Sequence, residues 1–502
     1  MMKQSVLVSL LLAGCQSWNP SVPLPPELTE AGVQARLQIP RDPELDRAET
    51  VVPGSPSDPQ PEAEPSILSL DDAIVFAQRH SPRLRSARAA IERATGREQA
   101  AFAPLLPEVD LLAQSGITSN NQGPGALGPT GFLIPTSSSG NRRYVQEELQ
   151  LLWTIYDFGL RAGRYQEAAA RARIAAFQLV RADQTVQFDV AAAYLNVLLA
   201  RASVRVQEDA IRDAEATLKD ARSRLEGGVA DPNDVLRAEV QLSESRDAFV
   251  SARQAELVAV AQLNNVMGRN AALPLRIENL EPPPPEARPS LADSLAIAAA
   301  ERPEVDFARE AVVAAQEGLV AAKAAFFPRV YVRASTGRVD AVNVLNGWQA
   351  GAGLHIDMPL YTGGQLRGDL RTAEGELAAA LADAQTILDG ISLDVSRAFH
   401  TEVAGRQRLE LSRTAVVQAE ENLRLVRVKY RNGDATPTDI VDAETALTRS
   451  QQRFNSAFYT YLDALASLDY AVGRQQGTIL RGASDPAGIL TPLPKERSGT
   501  AR

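Results

Sequence analysis

The residues IYDFGLRAG, Ile155 to Gly163, end one pattern and begin another. Before them, LLWTIY reads as the close of a strand. After them, a long run rich in Ala, Glu, Gln and Arg favours helix. As a motif, the embedded DFG is the magnesium-binding triplet of protein kinases. As backbone, it is a turn at Gly159 between a strand and a helix. Nothing inside the stretch chooses between the two.

A second stretch does. MPLYTGGQLRG, Met358 to Gly368, aligns with WTIYDFGLRAG, Trp153 to Gly163, so that Tyr156 matches Tyr361, Gly159 matches Gly364 and Gly163 matches Gly368. Asp157 falls opposite Thr362, and the carboxylate that a magnesium ion would need is missing from the copy. No HRD catalytic loop and no preceding glycine-rich phosphate loop accompany the triplet, so the kinase reading fails. Gly159, Gly363 and Gly364 are instead expected to be strand-to-helix turns. The likeness runs on in both directions. Residues from Leu70 match those from Leu291 at an offset of 221, through LLPEVDLLAQSG and FFPRVYVRASTG. The first copy carries sixteen extra residues between Gly116 and Leu149, and beyond them the offset is 205. Phe188–Arg269 and Leu393–Arg474 share 26 of 82 positions. The chain is a tandem duplication.

Each copy reads helix, strand, loop, strand, long helix, helix. The strands, expected near 105–116, 144–156, 327–337 and 348–361, alternate in character. Val109, Leu111 and Ala113 oppose Glu108, Asp110 and Gln114; Val330, Val332 and Ala334 oppose Arg329, Tyr331, Arg333 and Ser335. Leu149, Leu151, Trp153 and Ile155 oppose Gln146, Glu148, Gln150 and Thr154, and Leu354, Ile356, Met358 and Leu360 oppose His355 and Asp357. A barrel strand between lipid and water needs this alternation; a half-buried strand of a soluble sheet shows it too. Four strands cannot close a barrel, and an open edge in lipid leaves backbone groups unpaired. Strands that span a membrane here require several chains to share one barrel.

From about Leu160 to Glu226, and from Gln365 to Arg431, no proline interrupts, giving helices of roughly 100 Å. The shorter flanking helices, about Pro82–Phe102 and Pro232–Met267, together match that length. At the hairpins stand RLEGGVADPNDVL and KYRNGDATPTDIV. Gly228 and Gly433 suit a left-handed helix stop. Asp231 and Thr436 are N-caps, followed by Pro232 and Pro437 at the first helical position and Asp234 and Asp439 at the third.

The balance of 52 basic and 62 acidic residues gives a formal charge of −10 with no basic block, so nucleic acid is not expected as a partner. No apolar run reaches the roughly 18 residues of a membrane helix. A short apolar run from Val6 ends in LAGC at Cys15, the only cysteine; it reads as an export signal and resembles a lipoprotein box, with cleavage before Cys15 and palmitate-type acylation on it. The three histidines, His80, His355 and His400, have no clustered partners, and no nucleophile–base or metal spacing appears. Neither catalysis, a cofactor nor a metal is expected. The pattern divides the chain into a signal (1–14), a lipidated Pro-rich tether (15–66), a first repeat (67–270), a linker (271–290), a second repeat (291–475) and a tail (476–502).

Duplicated units opening with LDDAIVFAQRHSPRLRSAR, the strand end PLYTGG and the glycine-containing hairpin tips resemble the TolC family of outer-membrane efflux proteins, over about Leu68–Arg474. The resemblance implies a mostly helical fold with a small β part. It implies a homotrimer with a twelve-stranded β-barrel in outer-membrane lipid, continuous with a long periplasmic helical barrel. Such a duct catalyses nothing and serves a tripartite efflux or type I secretion system. It docks through its tips on a periplasmic adaptor (a membrane fusion protein) and an inner-membrane transporter. The resemblance places the docking tips at Gly228, Val229 and Ala230, and at Gly433, Asp434, Ala435 and Thr436. It places Asp439 and Asp442 on the aperture and links Tyr430 to Asp234 as a gate. The family's gate arginine is replaced by Ala435. The competing reading is a lipid-anchored periplasmic helical scaffold with no pore.

Overall fold

The computed structural model describes residues 67–120, 126–127, 133–134, 140–228, 231–280, 289–341 and 347–474. The expectations at Cys15, Val229 and Ala230 lie outside these residues. In the first copy, α1 (Leu70–His80) and α2 (Pro82–Phe102) lead to β1 (Glu108–Asn120) and β2 (Gly140–Tyr156), then to α3 (Leu160–Glu226) and α4 (Pro232–Met267). The second copy repeats the order with α5 (Leu291–Glu301), α6 (Pro303–Ala324), β3 (Arg329–Ala341), β4 (Gly347–Asp357), α7 (Gln365–Asn432) and α8 (Pro437–Val472). A two-residue ladder, Ala126–Leu127 with Leu133–Ile134, lies between β1 and β2.

The four long strands form one antiparallel sheet in the order β1-β2-β3-β4. β1 and β2 extend beyond their sequence pattern at the distal hairpin, where Asn120 pairs with Gly140. β4 stops earlier than its pattern: its last partners are Arg329 and Asp357. Pro359 has no amide hydrogen to give the ladder, so Met358 and Leu360 fall outside the strand.

α3 and α7 have 67 and 68 residues, about 100 Å each. α3 packs on α2 and α4, and α7 on α6 and α8, so two shorter helices line each long one. α3 also packs on α6 and α8, which joins the two copies along their length. The largest apolar cluster holds Val190, Tyr194 and Leu198 of α3 against Leu263 and Met267 of α4 and Leu70 and Ile74 of α1. Each such side chain contributes about 2 kcal/mol by leaving water.

Where α1 gives way to α2, Pro82 ends the hydrogen-bond ladder at Ser81, and Gly268 closes α4 against the break. Its φ is +81°, and a Cβ there would sit 2.8 Å from the His80 carbonyl oxygen. The twin site repeats this with Gly473, φ +88°, whose Cβ would sit 3.0 Å from Arg302. Only glycine meets both demands, twice. Beside the first break the Tyr194 hydroxyl lies 3.0 Å from the Leu68 carbonyl and 2.7 Å from that of Glu278. Burial pushes its pKa up to about 12. Arg201 donates to the carbonyls of Leu275 and Ile277. Chain entry and the start of the inter-repeat segment are thereby held against α3.

Beside the second break the buried Arg302 reaches Glu304 at 2.7 Å and the Ala471 carbonyl at 3.3 Å. Arg181 of the first copy binds the same carboxylate at 2.7 Å and lies 3.7 Å from the centre of the Tyr470 ring. Burial alone would raise the Glu304 pKa; the bond from Arg302 and the charge of Arg181 outweigh it and hold the carboxyl below its ordinary value. This staple ties α3 to α6 and α8.

Candidate functional site: sheet faces and hairpin tips

The turn at Ile155–Gly163 is built as backbone. The Asp157 carboxylate is buried; it accepts from the amides of Gly159 and Arg161 and from Arg161 Nε at 2.6 Å. It caps α3 and orients Arg161, which also donates to the Pro104 carbonyl. Gly159, Gly363 and Gly364 have φ of +97°, +64° and +92°, as strand-to-helix turns require. Phe158, opposite Gly363 in the duplication, adopts φ +57° without being glycine. Its ring stacks on Phe327 at 4.9 Å and meets Tyr156 edge-on at 4.8 Å.

The sheet has two unlike faces. Val109, Leu111, Leu149, Trp153, Ile155, Leu354 and Ile356 point outward and are exposed, Leu111 by 75% and Ile356 by 70%. On the other face Gln146 and Glu148 are buried, with Gln114 donating to Gln146 and Gln146 to Glu148 at 2.8 and 2.9 Å. A soluble sheet buries its apolar side; here much of the apolar side is exposed, and the buried side chains Gln146 and Glu148 lie at the centre of the polar side. The outward face is bounded by aromatics: Tyr156, Phe158 and Phe327 at the helix end and Trp348 at the distal end, the last 75% exposed. Trp348 lies opposite Arg338, which pairs with Glu147. From Glu147 to Tyr156 is roughly 30 Å along the strand. A tilt of about 40° makes that about 23 Å, close to the roughly 25 Å apolar band of a membrane barrel. Among the described residues no helix is long and apolar enough to cross a membrane. β1 and β4 leave the sheet with two unpaired edges.

The hairpin tips lie at the opposite end of the long helices. Gly228 (φ +74°) follows the end of α3, and Gly433 (φ +85°) stops α7 with the Asp434 amide returning to the Lys429 carbonyl. Gly433 and Asp434 are exposed and Ala435 is half-buried. The Asp231 carboxylate accepts from the Asn233 amide. Thr436 and Asp439 form a reciprocal capping box: the Asp439 carboxylate accepts from the Thr436 amide and hydroxyl, both at 2.7 Å. Those bonds hold the Asp439 pKa below its ordinary value. Asp442, one turn further, is exposed.

Tyr430 and Asp234 line one groove of about 370 Å³ with Arg237, Thr438 and Val441. They are not hydrogen-bonded among the described residues. Arg224 lies over the tyrosine, its guanidinium 3.9 Å from the centre of the Tyr430 ring. Burial, opposed by that cation and helped by Asp220 and Asp234, raises the tyrosine's pKa. Across the groove Arg237 donates to Thr438 at 2.8 Å.

Sequence reading missed a second polar node just above. Arg427 of α7 binds Glu444 of α8 at 3.1 Å and Asp213 of α3 at 2.9 Å, and the Thr217 hydroxyl donates to the same glutamate. Superposing the copies would have pointed to it. Arg222 and Glu239 occupy the same positions in the first copy and pair at 2.7 Å. Among the described residues no group of three His, Cys, Asp or Glu could hold a metal.

The model of the outer membrane efflux protein family matches residues 73–269 and 295–474. The chain is 26% identical to "Outer membrane efflux protein BepC" of Brucella suis, over 58% of this chain and 64% of that one. It is 26% identical to "Outer membrane protein TolC" of Salmonella enteritidis, over 84% of this chain and 85% of the relative. Among solved structures, the outer membrane protein VceC of Vibrio cholerae superposes with a TM-score of 0.71 at 20% identity. That match covers 81% of this chain and 96% of VceC.

Proposed function

This chain belongs to the outer membrane efflux protein family, and on that premise we propose that it is the outer-membrane exit duct of a tripartite efflux or type I secretion system. It conducts substrate passively from periplasm to exterior. The observation that carries the reading is the sheet: an exposed apolar face between aromatic rims, an opposite polar face with Gln146 and Glu148 buried at its centre, and two open edges. Lipid satisfies the first, a water-filled lumen the second, and neighbouring copies the third. Three chains give twelve strands, a barrel continuous with the helices below. The hairpin tips around Gly228 and Gly433 face a periplasmic adaptor and, through it, an inner-membrane transporter. Asp439, Asp442, Tyr430 and Asp234 border the narrow end, and Cys15 carries lipid that adds a second anchor in the outer membrane.

Planar-bilayer recording tests the duct. Purified protein is expected to form long-lived, cation-sensitive conductances and to resist carbonate extraction from outer membranes. Release as a monomer without conductance would instead establish the pore-less scaffold. For the anchor, mass spectrometry of the mature N-terminus is expected to find acylated Cys15; an unmodified cysteine would refute it.

A further inference from the structure

We propose that the polar face of the sheet carries a binding site for a small aromatic carboxylate, one in each chain, where Arg333 and His355 meet over Gly353. The site rests on the duct proposed above, whose water side this face lines, and it names a class of cargo for that duct. Comparing the two copies brings it out. Across β1 and β2, Leu112 lies opposite Glu148, Gln114 opposite Gln146 and Asp110 opposite Gln150. Across β3 and β4 the corresponding pairs are Arg333 with Gly353, Ser335 with Gly351 and Tyr331 with His355.

In the first copy this part of the face is filled. Glu148 is buried, Gln146 donates to it at 2.9 Å, and Gln114 donates to Gln146 at 2.8 Å. In the second copy glycine stands in place of both the glutamine and the glutamate, and the room their side chains would take is open. A Cβ on Gly351 would meet nothing within 4 Å. For a Cβ on Gly353 the nearest atom would be His355 Nε2, at 3.2 Å. The imidazole therefore leans along β4 over Gly353. The Tyr331 ring backs it, with centroids 5.1 Å apart and the planes 12° from parallel.

Charge changes along with the space. Where the first copy has a carboxylate facing a leucine, the second has open room facing a guanidinium. Arg333 is exposed and has no ion pair among the described residues. The one acid of β4, Asp357, is held by Arg329 at 2.7 Å, and the β2 residue opposite Arg333 is Leu152. Side chains directly opposite on one face stand about 5 Å apart at Cβ. The Arg333 guanidinium thus reaches the room over Gly353 from one side, and His355 Nε2 borders it from the other. Arginine presents paired N–H donors that match the two oxygens of a carboxylate, and an imidazole N–H adds a third. The glycines leave space for a flat body beside the His355 and Tyr331 rings, where it gains from stacking. The ligand's carboxylate takes the place that Glu148 fills in the first copy. A cation meets like charge there.

Planar-bilayer recording with benzoate as the probe tests this. Millimolar benzoate is expected to reduce the current of the parent protein, whereas benzamide, its neutral isostere, should leave that current unchanged. Arg333→Gln removes the cation, and Gly353→Glu refills the room as the first copy does. Each is expected to weaken the benzoate block about tenfold, and His355→Gln to weaken it less. A parent current indifferent to benzoate, or reduced as much by benzamide, would overturn the site and leave the duct standing; that comparison needs no variant. An undiminished block in Arg333→Gln would overturn the site equally. No current at all from the purified parent would overturn the duct, and the site with it.

Discussion

Glu304 shows how much one carboxylate can carry. It is shared by Arg302 and Arg181, one from each copy. Glu304→Gln leaves a buried arginine partly uncompensated and is expected to cost about 2–3 kcal/mol at neutral pH. The sign with pH follows from its lowered pKa. The stabilisation is complete above the ordinary value of 4.5 and is lost as pH falls through the lower folded value. Melting of parent and variant should therefore differ clearly at pH 7 and converge toward pH 3; a gap that persists in acid would remove the ion pair as its cause. The tip aspartates divide differently. Asp439 is engaged in its capping box, so Asp439→Asn is expected to speed amide hydrogen exchange at the start of α8. Asp442 makes no such box, and Asp442→Asn is expected to change cation sensitivity in bilayer recordings while leaving that exchange alone. Both carboxylates border the narrow end in the proposed duct, so unchanged cation sensitivity in the double variant Asp439→Asn and Asp442→Asn would remove them from the aperture.

At the scale of elements, depth in the sheet sets what a charge costs. Leu151 lies mid-band, opposite Val109 and Ala334, and Leu151→Lys is expected to cost about 2–4 kcal/mol on insertion. Ile356 sits one residue from the strand's end, where the same change should cost about 0–1 kcal/mol. Gln150→Lys, on the polar face, should insert like the parent. Heat-modifiable mobility of outer-membrane fractions reads all three, and equal loss at Leu151 and Gln150 would contradict the assigned faces. These elements were legible because each leaves a local signature. Two-residue alternation marked the faces, Pro232 and Pro437 marked helix starts, and Gly433 marked a stop. The nodes at Glu304 and Arg427 leave no such local signature. Arg181 reaches Glu304, and Asp213 reaches Arg427, from more than a hundred positions away, and nothing near Arg181 in sequence announces Glu304. Nor did sequence show Arg224 over the Tyr430 ring; the guanidinium comes from a neighbouring helix, and only packing reveals it.

For the whole molecule, detergent-solubilised protein is expected to be trimeric with a β contribution in circular dichroism; monomers without it would defeat the barrel. The association of α3 with α6 and α8 then bears on how such a ring comes together. Six equal repeats made as separate chains would need five encounters to assemble, whereas three fused pairs need two. The segment joining the copies holds half the seams at an effective concentration on the order of millimolar, whatever the number of chains in the cell. Only the remaining seams respond to dilution. Duplication therefore lowers the expression level at which closed rings form, and at scarcity the protein should fail by leaving whole chains unassembled, never by shedding a repeat.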